Sequence, residues 1–175
     1  MPPREELLRL IREKVHHPAT ARELAQLLKV PREERTAFKR QLRALATSGD
    51  LLQIRGNRYG LPQEMNLVVG RLNTNPGGFG FVVTENPPPG ERKDLYIAAY
   101  NLTEAMHGDR VVARIERETP KGLEGRIIRI LERSQETLVG RYEVDAAGLG
   151  YVVPFDRRVL TDVHVPTGQS SSAGR

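Results

Sequence analysis

An internal repeat constrains this chain more than any other feature. Leu67-Val68-Val69-Gly70-Arg71 recurs as Thr137-Leu138-Val139-Gly140-Arg141, an offset of 70 residues. Gly78-Phe79-Gly80-Phe81-Val82-Val83 recurs at the same offset as Gly148-Leu149-Gly150-Tyr151-Val152-Val153. Asp94-Leu95-Tyr96-Ile97 returns as Asp162-Val163-His164-Val165, the offset slipping to 68. Three blocks in one order at near-constant spacing make each unit a small domain, because the period exceeds that of ordinary solenoid repeats.

The first unit reads from end to end as short strands. Leu67–Thr74 is a strand and Asn75-Pro76-Gly77-Gly78 a turn; Phe79–Val83 is a second strand, followed by a loop at Asn86-Pro87-Pro88-Pro89-Gly90. Asp94–Ile97 is a third strand, with a helical segment near Asn101–Met106, and Asp109–Glu116 and Gly125–Glu132 alternate as a fourth and fifth. Five strands with a helix between the third and fourth is the order of an OB-fold barrel. In the second copy, residues 137–166 supply counterparts of strands one to three only. That unit is expected to be a partial OB domain with unpaired edges, followed by a flexible tail at 167–175.

Period 2 turns these strands into candidate chemistry. Phe79 and Phe81 share one face of their strand, with Gly80 on the other. Beside Arg71 and Tyr96 they make a platform on which bases stack while cations hold phosphates. The competing reading has the same rings filling the barrel core, and alternation alone leaves both open.

Residues 4–61 read as three helices and a hairpin. Leu7, Leu8, Ile11 and Val15 form one apolar stripe, ended by His16-His17-Pro18. Thr20-Ala21-Arg22-Glu23 has the form of a capping box ahead of a second helix lined by Leu24, Leu27 and Leu28. Pro31 starts a third helix that runs to Gly49 and buries Phe38, Leu42 and Leu45. On its other side Arg32, Arg35, Lys39, Arg40 and Arg43 fall within an arc of about 140° at 100° per residue. Two short strands then flank a Gly56-Asn57 turn, with Arg55 and Arg58 beside the tip. This is a winged-helix arrangement, in which Arg35, Lys39, Arg43, Arg55 and Arg58 can meet a phosphate backbone. A winged helix that contacts protein and keeps a solvated basic face is the alternative. Residues 62–66 read as a short linker.

Charge hints at a polyanionic partner, and a basic surface kept for solubility accounts for it equally well. The chain carries 27 basic and 22 acidic side chains, and residues 1–65 hold 13 of the former and 8 of the latter, the whole excess of +5. The absence of cysteine excludes disulfides, thiol catalysis and Cys-ligated zinc. No apolar run approaches the ~20 residues of a membrane span, and the first residues lack the apolar stretch of a signal peptide. A soluble, cytoplasmic, basic protein of α+β multidomain class is expected.

At this point the motifs carry a family resemblance. Gly78-Phe79-Gly80-Phe81-Val82 resembles the first ribonucleoprotein motif of cold-shock domains, and Leu95-Tyr96-Ile97 resembles part of the second. The wider string adds Ala105-Met106-His107-Gly108-Asp109-Arg110-Val111, Gly125-Arg126-Ile127-Ile128 and Leu138-Val139-Gly140-Arg141. Together, behind a winged helix, these resemble the amino-terminal part of the ribonuclease R branch of the ribonuclease II family. The likeness runs through residue 166.

The resemblance implies a bacterial exoribonuclease that degrades RNA processively from the 3′ end, structured RNA included. Its cold-shock domains (here 66–133 and 137–166) would gather single-stranded RNA for a separate Mg²⁺-dependent catalytic domain beyond residue 175. It implies no cofactor, metal ligand or catalytic residue in this chain, which alone is expected to be inactive. Implied RNA contacts are Arg71, Phe79, Phe81, Tyr96, Arg126, Arg141, Tyr151 and His164, with ribosomes or RNA-decay factors as further partners and no membrane. Two departures thin the platform: Gly77 stands where a basic residue is usual, and Ala98-Ala99 replace a histidine and an aromatic. A stand-alone RNA-binding protein and a DNA-binding regulator are the rival functions. The other chemical candidates are weak. The four histidines show no metal-ligand spacing, Gly77-Gly78-Phe79-Gly80 lacks the Lys-Ser/Thr of a phosphate loop, and Asp94 and Asp109 are placed to cap turns.

Overall fold

The computed structural model describes residues 2–85, 87 and 94–168, so most of the proline-rich loop and of the expected tail lies outside the described residues. The chain divides into two compact units, residues 1–69 with 85–91, and residues 70–84 with 92–175.

The first unit is three helices and a small sheet. Helix α1 (Arg4–Lys14) is followed by strand β1 (Ala19–Thr20) and helix α2 (Ala21–Leu27); a 3₁₀ turn (Arg32–Glu34) leads into α3 (Arg35–Thr47), and β2 (Leu52–Ile54) and β3 (Arg58–Gly60) form the hairpin. The capping box is present in full: Thr20 Oγ1 accepts from the Glu23 amide, and the Glu23 carboxylate accepts from the Thr20 amide and hydroxyl. Those hydrogen bonds hold the Glu23 carboxyl below its ordinary range, with the nearby Arg58 charge a smaller contribution.

Leu7, Ile11, Leu24, Phe38, Leu42, Leu45 and Leu51 close a core around which Leu8 and Leu28 pack. Leu27, expected to line α2, is exposed instead, and Ala25 is buried. The buried arc of α2 runs from Leu24 through Leu28 to Ala25, about 100° wide, and Leu27 falls outside it. The third helix begins with its 3₁₀ turn rather than directly at Pro31. It ends before Gly49, whose φ of 82° is the left-handed terminator the sequence suggests. The hairpin register pairs Ile54 with Arg58, so its connection is three residues, with Gly56 and Asn57 both at positive φ. Strand β1, two residues long, pairs with β3 and completes a sheet in the order β1-β3-β2.

Strands β4 (Leu67–Thr74), β5 (Gly80–Thr84), β6 (Leu95–Ile97), β7 (Arg110–Thr119) and β8 (Gly122–Glu132) close a barrel in the order β4-β5-β6-β8-β7. The β4–β5, β5–β6 and β7–β8 pairs are antiparallel, and β6 pairs with β8 in parallel. Its interior holds Leu72, Val82, Leu95, Ile97, Val111, Ala113 and Ile127, each at most 2% exposed. The helical segment expected near 101–106 is only a 3₁₀ turn at Ala99–Asn101. Thr103 adopts φ 55° and Gly108 φ 84°, and neither conformation continues a right-handed helix.

The repeat is reproduced bond for bond. Strands β9 (Gly140–Val144), β10 (Gly150–Pro154) and β11 (Val163–Val165) form a second sheet, in the order β11-β10-β9. The β4–β5 pairs Arg71↔Val83, Leu72↔Val82 and Asn73↔Phe81 recur as Arg141↔Val153, Tyr142↔Val152 and Glu143↔Tyr151. The pair Phe81↔Tyr96 recurs as Tyr151↔His164, with the slipped offset retained. The turns match as well. Asn75 exchanges backbone bonds with Phe79 and Gly78, and Asp145 does the same with Leu149 and Gly148. At Gly70 a Cβ would strike the Val83 carbonyl, and at Gly140 the Val153 carbonyl. Both copies therefore need glycine where two backbones meet.

Candidate nucleic-acid interface

Gly80, Val82, Leu95 and Ile97 point into the barrel, so the alternate positions Phe81, Val83 and Tyr96 point out. Gly80 is the residue that decides the strand's orientation. A Cβ there would lie 2.9 Å from Leu72 Cδ1 and 3.1 Å from the Asn73 carbonyl oxygen, so this face has no room for a side chain. Phe79, Phe81 and Tyr96 therefore stand on the outer surface, not in the core. Their ring centroids are 5.6–5.9 Å apart, with Phe81 edge-on to the other two. Edge-to-face contacts fix the rings relative to one another and leave faces for a further π system. Phe81 is 39% exposed, while Phe79 and Tyr96 are half-buried. A groove of about 410 Å³ runs beside them, lined by Phe81, Tyr96, Lys121, Leu123 and Glu124. Lys121 was invisible to strand-by-strand reading because it belongs to the β7–β8 connection, which parallel pairing of β6 with β8 brings alongside Tyr96.

The cations expected around the platform differ in availability. Arg71 is exposed and donates from Nη1 to the Gly108 carbonyl at 3.2 Å. Arg126 is ion-paired with Glu116 at 3.2 Å, and Arg141 with Glu143 at 2.5 Å. Both salt bridges are exposed, and exposed pairs of this kind are weak enough for a phosphate to compete. In the second sheet, Leu149, Tyr151 and His164 occupy the positions of Phe79, Phe81 and Tyr96. There Tyr151 donates its hydroxyl to Glu143 at 3.0 Å, a bond that raises its pKa. This copy keeps one aromatic ring and one imidazole where the first has three rings.

In the first unit, Lys39 and Arg43 project from α3 into solvent, as do Arg55 and Arg58 from the hairpin. Arg35 is half-buried, and its Nε is buried without a hydrogen-bond partner among the described residues.

Two residues of the Met106-His107-Gly108-Asp109 segment have structural settings. His107 Nδ1 accepts from the Thr74 amide at 3.2 Å, and Thr74 in turn donates its hydroxyl to the Arg158 carbonyl. Burial, then the Arg158 charge, lowers the His107 pKa and keeps that nitrogen free to accept. Asp109, 1% exposed, caps its turn by accepting from the Met106 amide. Among the described residues, no three His, Asp or Glu side chains come together so as to hold a metal ion.

Residues 70–130 match the family model described as the ribonuclease B OB domain. Ribonuclease R of Acidithiobacillus ferrooxidans is 36% identical over 153 residues, 87% of this chain and 34% of that protein. Ribonuclease R of Escherichia coli (strain K12) is 36% identical over 158 residues, 89% of this chain and 19% of its own. That of Vibrio parahaemolyticus is 30% identical over 175 residues, 99% of this chain and 21% of its own. The chain thus spans about a fifth to about a third of the length of these curated relatives.

Proposed function

We propose that this chain, a relative of ribonuclease R over most of its length with a ribonuclease B OB domain at residues 70–130, gathers RNA for a processive 3′–5′ exoribonuclease. The observation that carries the reading is the outward cluster of Phe79, Phe81 and Tyr96 on a closed barrel, with Arg71 and Lys121 on the same surface. Three ring faces accept bases of any sequence, and the cations hold the backbone between them. Such a surface suits an enzyme that must take in every RNA it meets. The Mg²⁺-dependent cleavage belongs, on this reading, to a separate catalytic domain, and the enzyme works in the cytoplasm. No helix among the described residues is long and apolar enough to cross a membrane.

The purified 175-residue chain should therefore bind end-labelled single-stranded RNA and release no mononucleotides from it when Mg²⁺ is added. Mg²⁺-dependent hydrolysis that copurifies with the chain would refute the assignment of catalysis elsewhere. Absence of any RNA binding would refute the gathering role.

The three helices and hairpin of the first unit act as a winged helix that touches phosphates without reading bases. Each phosphate contact contributes about 0.9 to the slope of log affinity against log salt on duplex, and about 0.7 on single strands. The Arg55→Ala, Arg58→Ala double variant should thus flatten the slope by about 1.4–1.8 on RNA containing a duplex. Identical slopes would assign the wing to protein contact.

Residues 137–166 act as a second, partial OB unit. Tyr142, which occupies the position of the 1%-exposed Leu72, is 47% exposed, and Val144 is 56% exposed. Among the described residues, its sheet has three strands and no counterparts of β7 and β8. Backbone bonds over an open face break more readily, so amides at 141–153 should exchange faster than their counterparts at 71–83. Equal protection would mean that something else covers the sheet.

A further inference from the structure

We infer a second base-stacking subsite at Tyr100, on the opposite side of Tyr96 from the Phe79–Phe81 pair. It rests on the RNA-gathering reading above and specifies where the strand runs after it leaves the platform. Tyr100 lies on the 3₁₀ turn that follows β6 and is 82% exposed, an unusual setting for so large a ring. It lines a groove of about 510 Å³ together with Tyr96, Ala98, Glu116, Arg117 and Glu124. Tyr96 and Glu124 also line the groove beside Phe81 and Lys121, and the two residues are register partners across the β6–β8 pair. One ridge therefore separates two grooves, and a strand stacked on Tyr96 has a second aromatic wall on its far side.

The charges in this groove select the part of a nucleotide that fits. Arg117 hydrogen-bonds Glu124 through Nε at 2.6 Å, and Arg126 pairs with Glu116 at 3.2 Å. On the lining itself Glu116 and Glu124 outnumber Arg117, so the groove holds no excess positive charge to draw a phosphate. A neutral, planar nucleobase meets no such objection: it can lie on the Tyr100 ring with its edge toward the paired side chains. Ala98 on the same wall is small enough to leave the space open. The phosphates stay with Lys121 and Arg71 outside it. The ligand is a base of the same single-stranded RNA, and a protein partner at Tyr100 is the competing occupant.

The contact is thus aromatic and uncharged, and this determines its signature. With the full chain, binding of fluorescein-labelled oligouridylates of increasing length should be compared for wild type, Tyr100→Ala and Tyr100→Phe across a salt series. One lost stack should weaken binding about 5- to 150-fold. The loss should appear only above the length at which the strand extends past the platform. The salt slope should be unchanged, because no phosphate contact is removed. Tyr100→Phe should bind as wild type. Tyr100→Ala that binds like wild type at every length overturns the inference while leaving the platform intact, provided Phe81→Ala still loses affinity. A changed salt slope, or a deficit equal at all lengths, also overturns it. A wild-type chain that binds no oligouridylate fails at the earlier step and takes both readings with it. Because Tyr100 is exposed, its truncation leaves the barrel's melting transition where it was.

Discussion

Replacing Phe79 and Phe81 together by alanine is expected to abolish most single-stranded RNA binding while leaving the barrel folded. A base stacked on an aromatic ring contributes about 1–3 kcal/mol by alanine substitution, so two rings are expected to cost about 2–6 kcal/mol of binding. Against that stands a structural cost of similar order. The rings pack on each other and on Tyr96 at 5.6–5.9 Å, and aromatic pairs of this geometry contribute about 0.5–1.5 kcal/mol each. No ring fills the barrel interior, where Val82, Leu95 and Ile97 are fully buried, so no core cavity opens. Affinity should fall by a factor of at least several tens, while the variant keeps one cooperative unfolding transition at a lowered temperature. Fluorescence anisotropy at fixed salt, with circular-dichroism melting of the same samples, reads both quantities. Unchanged affinity in a folded variant would remove the rings from the binding surface.

The part of this platform that was legible in the sequence is the sharing of a face by Phe79 and Phe81. What was not legible is which face that is. Alternation of period 2 is symmetric between inside and outside, so glycine at 80 and valine at 82 opposite two phenylalanines leave both readings open. The tie is broken by the β4–β5 register, which brings Leu72 and the Asn73 carbonyl against Gly80. That long-range fact has no local signal. The same limit hid the pairing of Arg126 with Glu116, since neighbours in a β-hairpin are set by register and bulges rather than by spacing.

Local grammar, by contrast, is legible in the sequence. The capping box at Thr20–Glu23 and the terminator at Gly49 each need only a few adjacent residues. The two-residue strand β1 was missed for the complementary reason, because Ala19 and Thr20 become a strand only when Arg58 and Tyr59 are beside them. The 70-residue repeat was the one long-range feature open to inspection, because it is written twice. Its second copy repeats even the turn bonds from the side chains, Asn75 Oδ1 to the Gly77 amide and Asp145 Oδ1 to the Ala147 amide.

The largest loss of stability is expected from Asp109→Ala. Its carboxylate is 1% exposed and accepts three hydrogen bonds, Oδ2 from the Met106 amide and Arg133 Nη1, and Oδ1 from the Ser134 amide, each at 2.9 Å. Its backbone joins the same junction, donating to the Met106 carbonyl and accepting from the Leu72 amide. One side chain thus ties the start of β7 to the end of β8 and to the segment leading toward β9. Alanine leaves two backbone donors without partners, at about 1–3 kcal/mol each when water cannot reach them. The Arg133 head adds less, because its side chain is 42% exposed and can turn to solvent. The sum is about 3 kcal/mol, a large fraction of what holds a domain of this size together. Asparagine does not rescue it, because one of its two polar atoms is a donor and must face a donor already there. In urea, the midpoint followed by barrel amide signals should fall for both variants with the slope kept, and Arg133→Ala should fall much less. An Asp109→Ala midpoint equal to that of Arg133→Ala would mean that the ion pair, not the two amides, is what the carboxylate is buried for.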